Sequence, residues 1–339
     1  MMRTRDAFTI AVIAAVVLWG GTLIPSTLDC LAQREADHRA PRLEDVWIAA
    51  FACLLCALLR SLLERHVFVP WVAEWLVRRD KPSWTPAERR EKVHKCATAL
   101  FKGLCYHLPV SIYAYVALRD KVFLPSDVGG RRWPRQDVHT GPGARALYEG
   151  LPHHEIGGAV KMYYMVALGF ALHSFLFHAC LEKRRHDFWE MGLHHVVTVN
   201  LILFSYANAL HRLGAIVLFL HDVPDIFVYL AKGTADSRFP NVCLIFYFGM
   251  VASWMWFRLW AFPYYVLLVV HTHVAKVSGC TRPTFGWLTA MLWLLLALHV
   301  WWFTIFVKMG YDALVKGITR DLQSQDQQLQ RELRNKKGA

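Results

Sequence analysis

Residues 182–232 read EKRRHDFWEMGLHHVVTVNLILFSYANALHRLGAIVLFLHDVPDIFVYLAK. Two apolar stretches, near 190–208 and 212–231, are joined by a tight connection around His211 to Gly214. Each is close to the ~20 apolar residues that a helix needs to cross a hydrocarbon core. So short a link makes the two antiparallel neighbours. The pair nevertheless carries His194, His195, His221, Asp222 and Asp225. On a helix His194, Thr198 and Ser205 share one face, as do His221 and Asp225 at i, i+4, with Asp222 three residues before Asp225. A carboxylate at mid-bilayer costs about 3 kcal/mol on insertion scales. Two in one turn must therefore face a bundle interior, paired with each other, with His or with Arg.

The rest of the chain repeats the apolar theme. Of its 339 residues 55% are hydrophobic and 19% charged, whereas a soluble domain carries ~25% charged residues. The 14 Trp and 12 Tyr suit interfacial belts. The fold class is an all-α polytopic membrane protein. About eight spans are expected, near 7–28, 44–64, 94–118, 156–180, 190–208, 212–231, 241–270 and 285–309. The first lacks a small-x-small cleavage site and reads as a retained anchor rather than a signal peptide. Residues 119–155, with Gly129-Gly130 and Gly141-Pro142-Gly143, read as a long loop rich in breakers. The polar tail from 310 has Leu314, Ile318, Leu322, Leu329 and Leu333 at roughly helical spacing.

Net charge is +12. The basic residues cluster between apolar spans without the context of a nucleic-acid module, so membrane topology explains them and no nucleic-acid partner is expected. The side shared by both termini and the second, fourth and sixth loops holds the larger share of Lys and Arg, which puts both ends in the cytosol. Lys336 and Lys337, fourth and third from the end, resemble a dilysine retrieval signal of the endoplasmic reticulum. The eight cysteines show no spacing of a disulfide framework, and Cys53-x-x-Cys56 reads as two small core residues.

A buried His–Asp cluster suits acid–base chemistry on an apolar substrate. The bland alternative, a histidine satisfied between helices, fits His173 or His178 taken singly. A metal site fits poorly. His153-His154, His194-His195 and His271-x-His273 lack the H-x-x-x-H and H-x-x-H-H spacings of membrane di-iron enzymes, and the topology spreads them over both faces, so no metal is expected.

The 182–232 stretch resembles the Lag motif of ceramide synthases, within the wider TLC-domain family. Arg185-His186-Asp187-Phe188 is similar to the family's R-K-D-F. His194-His195-x-x-Thr198, Ser205-Tyr206, Arg212-x-Gly214, His221-Asp222-x-x-Asp225 and Lys232 follow in register. Tyr163-Tyr164-Met165, Gly150-x-Pro152 and Arg258 with Pro263 extend the resemblance over roughly 84–315. Three features depart from it. The Asn usual near Ala209 stands one position earlier, at Asn208. Pro224 replaces a small polar residue between the aspartates, where it is expected to kink the helix. The first span is additional to the common core.

The resemblance implies an N-terminal region at 1–83 with two spans, a six-span TLC domain at 84–315 and a cytosolic tail at 316–339. It implies a sphingoid-base N-acyltransferase of the endoplasmic reticulum membrane, with acyl-CoA as co-substrate and no tightly bound cofactor. His194, His195, His221, Asp222 and Asp225 would be catalytic, with Asp222 orienting one imidazole of the 194–195 pair. Ser205, Tyr206, Asn208 and Arg212 would contact substrate, and Lys183, Arg184 and Arg185 the CoA phosphates. A homo- or heterodimer is compatible with the resemblance. In the family, acyl-chain preference is associated with the connection here at 271–284. The alternative is a TLC-domain protein that binds or helps translocate lipid without acyltransferase activity.

Overall fold

The computed structural model describes residues 4–32, 40–77, 84–133, 141–182, 187–273 and 282–316. Lys183, Arg184 and Arg185, most of the 271–284 connection, and the tail with Lys336 and Lys337 lie outside the described residues.

The chain runs through α1 (Thr4–Thr22), α2 (Ile24–Ala32), α3 (Val46–Leu59), α4 (Pro86–Phe101), α5 (Leu108–Leu118) and α6 (Pro142–Tyr148). It continues through α7 (Gly158–Cys180), α8 (Phe188–Ala207), α9 (His211–Thr234), α10 (Pro240–Ser253) and α11 (Arg282–Lys316). Among the described residues, six helical stretches are long and apolar enough to cross a membrane: Arg5–Ala32, Leu43–Leu76, Gly158–Cys180, His211–Thr234, Pro240–Thr272 and Arg282–Asp312. The other two expected spans are helical at α4–α5 and at α8, but α4 opens on charged residues and α8 carries His194, His195 and Asn200. Trp47, Phe51, Leu54 and Ile245 lie open on the outside, as apolar residues do where lipid is the solvent.

The apolar windows of α7 and α9 are 56% and 44% buried, against 17% for Leu43–Leu76, so α7 and α9 form the centre. Close packing there depends on small residues. A Cβ on Gly169 would come within 2.6 Å of the Ala49 carbonyl oxygen and the Ala52 side chain, so glycine lets α3 lie directly on α7. The α8–α9 connection is three residues long, and Ala209 turns it with φ 59. That left-handed conformation suits Gly or Asn better than Ala.

Among the described residues five segments widen into π-helix; three of them, Arg60–Phe68, Lys102–His107 and Trp254–Ala261, end just before Pro70, Pro109 and Pro263, while Val72–Leu76 and Pro263–Leu267 follow as continuations. A proline supplies no N–H, and its ring crowds the carbonyl one turn back, so the helix takes in an extra residue upstream. The widened turns carry His107 and Arg258. Helix α9, by contrast, is unbroken from His211 to Thr234 across Pro224.

The first helix is part of the bundle: Arg5 pairs with Glu190 of α8 at 2.7 Å. At the opposite end, residues 119–133 and α6 form a folded cap rather than an open loop. Trp133 is fully buried against Tyr265, whose hydroxyl donates to Asp127 at 2.5 Å. Cys30 is disulfide-bonded, a single cross-link that is compatible with the absence of a framework spacing.

Candidate active site

A cavity opens between α7, α8, α9 and α11 and the widened turn at Lys102–His107. One end is polar, lined by Tyr106, His107, Ser174, His194, His195, His221, Asp222, Asp225 and Arg258. The other end, toward the α8–α9 connection and the start of α11, is lined by Leu210, Leu213, Val270, Phe285, Leu288 and Leu292. His194 and Ser205 lie eleven residues apart on α8, about 16 Å along the axis at 1.5 Å per residue. The cavity is thus a deep apolar slot with ionisable groups at one mouth.

The five expected catalytic residues come together there, but with partners the sequence did not indicate. Asp222 accepts from the Tyr163 hydroxyl at 2.7 Å, and its other oxygen lies 3.3 Å from His107 Nδ1. Its nearest imidazole is therefore His107, at ion-pair distance, rather than His194 or His195. Asp225 is paired with Arg258 at 2.7 Å, and the same Nη2 donates to the His221 carbonyl at 2.8 Å. Arg258 is only 3% exposed and lies over the Trp254 ring at 4.0 Å. A cation so placed is held by the carboxylate, the carbonyl and the ring together.

His221 is fully committed. Its Nδ1 faces the Val217 carbonyl at 2.5 Å and must carry the proton, because a carbonyl only accepts. Its Nε2 then accepts from His299 Nε2 at 3.1 Å. His194 and His195 stand free by comparison. Their rings are 5.7 Å apart, with His194 edge-on to Trp302 at 5.3 Å and His195 beside His178 at 5.3 Å. His194 Nδ1 is buried without a hydrogen-bond partner.

Among the described residues, Ser205 alone of the expected substrate contacts lines the cavity, bonded to the Tyr164 hydroxyl at 2.8 Å and to the Leu201 carbonyl. Tyr206, one residue and ~100° further round the helix, donates to Asp45 at 2.6 Å. Asn208 bonds Thr27 and the Phe204 carbonyl. Arg212 donates to the Ala146 carbonyl of α6 at 2.8 Å. These three fasten the apolar end of the bundle from outside the cavity. Among the described residues no cluster of His, Cys, Asp and Glu has the arrangement to hold a metal ion.

His107, Tyr163, Arg258 and His299 belong to the cluster, and the sequence reading assigned none of them to the site. An ionisable residue inside an apolar span was the available signal for His107 and His299. Tyr163 and Arg258 stand in motifs already noted, without a role.

Comparison with known proteins agrees with this architecture. The chain is 24% identical over 302 residues to ceramide synthase hyl-2 of Caenorhabditis elegans, covering 85% of each protein. It is 28% identical over 297 residues to ceramide synthase LOH2 of Arabidopsis thaliana, covering 83% of this chain and 92% of that one. Over a shorter 180 residues it is 34% identical to ceramide synthase 4 of Mus musculus, covering 52% of this chain and 45% of that one. The family model of the TLC domain (TRAM, LAG1, CLN8) matches residues 100–308, more than half of the chain and all of the cavity, and the protein belongs to that family.

Proposed function

We propose that this protein is a ceramide synthase, transferring a fatty acyl group from acyl-CoA to the amine of a sphingoid base. The observation that carries the reading is the cavity itself. Ionisable residues gather at one end and an apolar slot runs from them, as a substrate with a reactive head and a long hydrocarbon tail requires. The relatives' names and the extent of the alignment point the same way.

In this reading the thioester carbonyl lies against His194 and His195, and the acyl chain extends past Ser205 toward Leu288 and Leu292. Two routes use the arrangement. Either a histidine nitrogen takes the acyl group and hands it to the amine, or the amine attacks the thioester directly. In both, the Arg258–Asp225 pair fixes the backbone at His221, and Trp302 holds the His194 ring. Tyr206, Asn208 and Arg212 act from behind the cavity wall, keeping its closed end in place. Lys183, Arg184 and Arg185, just before α8, supply positive charge for the phosphates of CoA.

The histidine end faces the cytosol, with both chain termini, and Lys336 and Lys337 retain the protein in the endoplasmic reticulum. The disulfide at Cys30 then falls on the lumenal side, where the redox environment favours it. Purified protein in lipid nanodiscs is expected to release CoA and form an N-acyl lipid only when acyl-CoA and sphingoid base are both supplied. Absence of the amide with every acyl-chain length would refute the assignment and leave a lipid-binding role.

A further inference from the structure

The N-acyl transfer proposed above needs a free amine, yet a sphingoid base arrives as an ammonium ion without a lone pair. We propose that His107, on the widened turn before Pro109, accepts that proton and so is a catalytic residue; the inference rests on the N-acylation reading.

The base must present an uncommitted ring nitrogen to the cavity and have its other nitrogen backed by an acceptor. His221 fails, because both nitrogens are engaged. His299 is fully buried behind it. Among the described residues no carboxylate lies at ion-pair distance from His194 or His195. His107 meets both requirements. Its Nδ1 lies 3.3 Å from an Asp222 oxygen, an ionic approach without hydrogen-bond geometry, and both ring nitrogens are buried with no hydrogen-bond partner while the ring lines the cavity. A buried nitrogen left unsatisfied is destabilising, and an incoming ammonium N–H removes that penalty. The ring is well fixed, stacked on Tyr229 at 5.0 Å and edge-on to Phe170 at 5.3 Å. Asp222 is held in turn by Tyr163. A carboxylate 3.3 Å from Nδ1 favours the proton on that nitrogen, which leaves Nε2 as the base, and it stabilises the imidazolium that forms.

One ammonium proton passes to His107 Nε2 and leaves to water after turnover. The freed lone pair forms the C–N bond at the acyl carbon. The bond from that carbon to sulfur, or to a histidine nitrogen already acylated at the expense of that sulfur, breaks with its electrons on the leaving atom. A second proton from the amine nitrogen completes the CoA thiol or restores the histidine. The charged and titratable groups facing His107 are Tyr106 beside it, Tyr163 on α7, and Asp222, Asp225 and Tyr229 on α9; Arg258 balances Asp225.

The test compares wild type with His107→Asn and His107→Phe across pH. Asn places an amide where Nδ1 stood and keeps the contact with Asp222, but offers no base. Both variants are expected to lose about 10²–10³-fold in kcat near neutral pH. Their rates should then climb about tenfold per pH unit as the amine deprotonates in solution. His194→Ala should stay inactive throughout. A second measurement uses a sphingoid base whose amine basicity is lowered by a neighbouring fluorine, which should restore His107→Asn near neutral pH. A His107→Asn enzyme as fast as wild type, or a loss that neither raised pH nor the fluorinated base relieves, would overturn the role. Failure of the N-acylation reading itself looks different: wild type would form no amide at any pH.

Discussion

Removing the Arg258 guanidinium gives the sharpest energetic test of the site. Arg258→Met keeps most of the side-chain length but leaves Asp225, whose side chain is 25% exposed on the cavity wall, as a carboxylate without a counter-charge. Breaking a buried pair on one side costs about 3–5 kcal/mol. The guanidinium also lies 4.0 Å over Trp254 and donates to the His221 carbonyl. A desolvated cation–π contact is worth about 2 kcal/mol, and it does not add independently to the ion pair. We take about 4 kcal/mol as the total loss, roughly a 10³-fold change in the folded-to-unfolded ratio. The double variant Arg258→Met, Asp225→Leu removes both charges and should cost only about 1 kcal/mol, because an apolar pair of similar volume replaces a buried ion pair nearly neutrally. Tryptophan fluorescence during denaturant unfolding in mixed micelles measures both. If the single variant loses less than about 1 kcal/mol, or the double loses as much as the single, the pair is water-screened and the site is not the dry cavity described here.

Three further outcomes follow from the geometry. Ala209→Gly should stabilise the protein by about 1 kcal/mol, since it relieves a left-handed alanine in a buried turn; a lower unfolding midpoint would show that the turn carries no strain. Leu292→Trp fills the apolar slot and should shift acyl-CoA use toward shorter chains in competition assays with mixed chain lengths, whereas an unchanged product spectrum would place the chain elsewhere. His154, in the cap, is held to about 4 by burial, which the Glu149 carbonyl on its Nε2 only partly opposes. Its ordinary value is 6.5, so the unfolded chain takes up a proton first as pH falls. Stability should therefore be complete above pH 6.5 and decline toward pH 4 by about 3 kcal/mol, and His154→Gln should flatten that window in urea titrations at stepped pH.

Much of the bundle could be read from the chain because bilayer thickness dictates the length of apolar runs, and the short Asn208–Leu210 connection fixes α8 against α9. The histidine pair and the acidic turn could be read because charge inside a span demands an interior position. Their partners could not. His107, Tyr163, Arg258 and His299 sit on four other segments, and no local spacing records which of them meets Asp222 or Asp225. The π-helical widening that turns His107 and Arg258 inward comes from Pro109 and Pro263, whose effect on rotation about the axis is not visible in helical periodicity. The resemblance implies substrate contacts at Tyr206 and Arg212, but motif register does not record which way a side chain faces. One residue from Ser205 is enough to face a different neighbour, and Arg212 reaches the α6 cap.

The measurement closest to the central claim is single-turnover amide formation by purified wild type, His194→Ala and His195→Ala with long-chain acyl-CoA and sphingoid base, followed by mass spectrometry of lipid and protein. The account predicts stoichiometric N-acyl lipid and CoA from wild type, with at least one of the two variants inactive while still folded. Amide formation at the wild-type rate by both variants would place the chemistry outside this cavity.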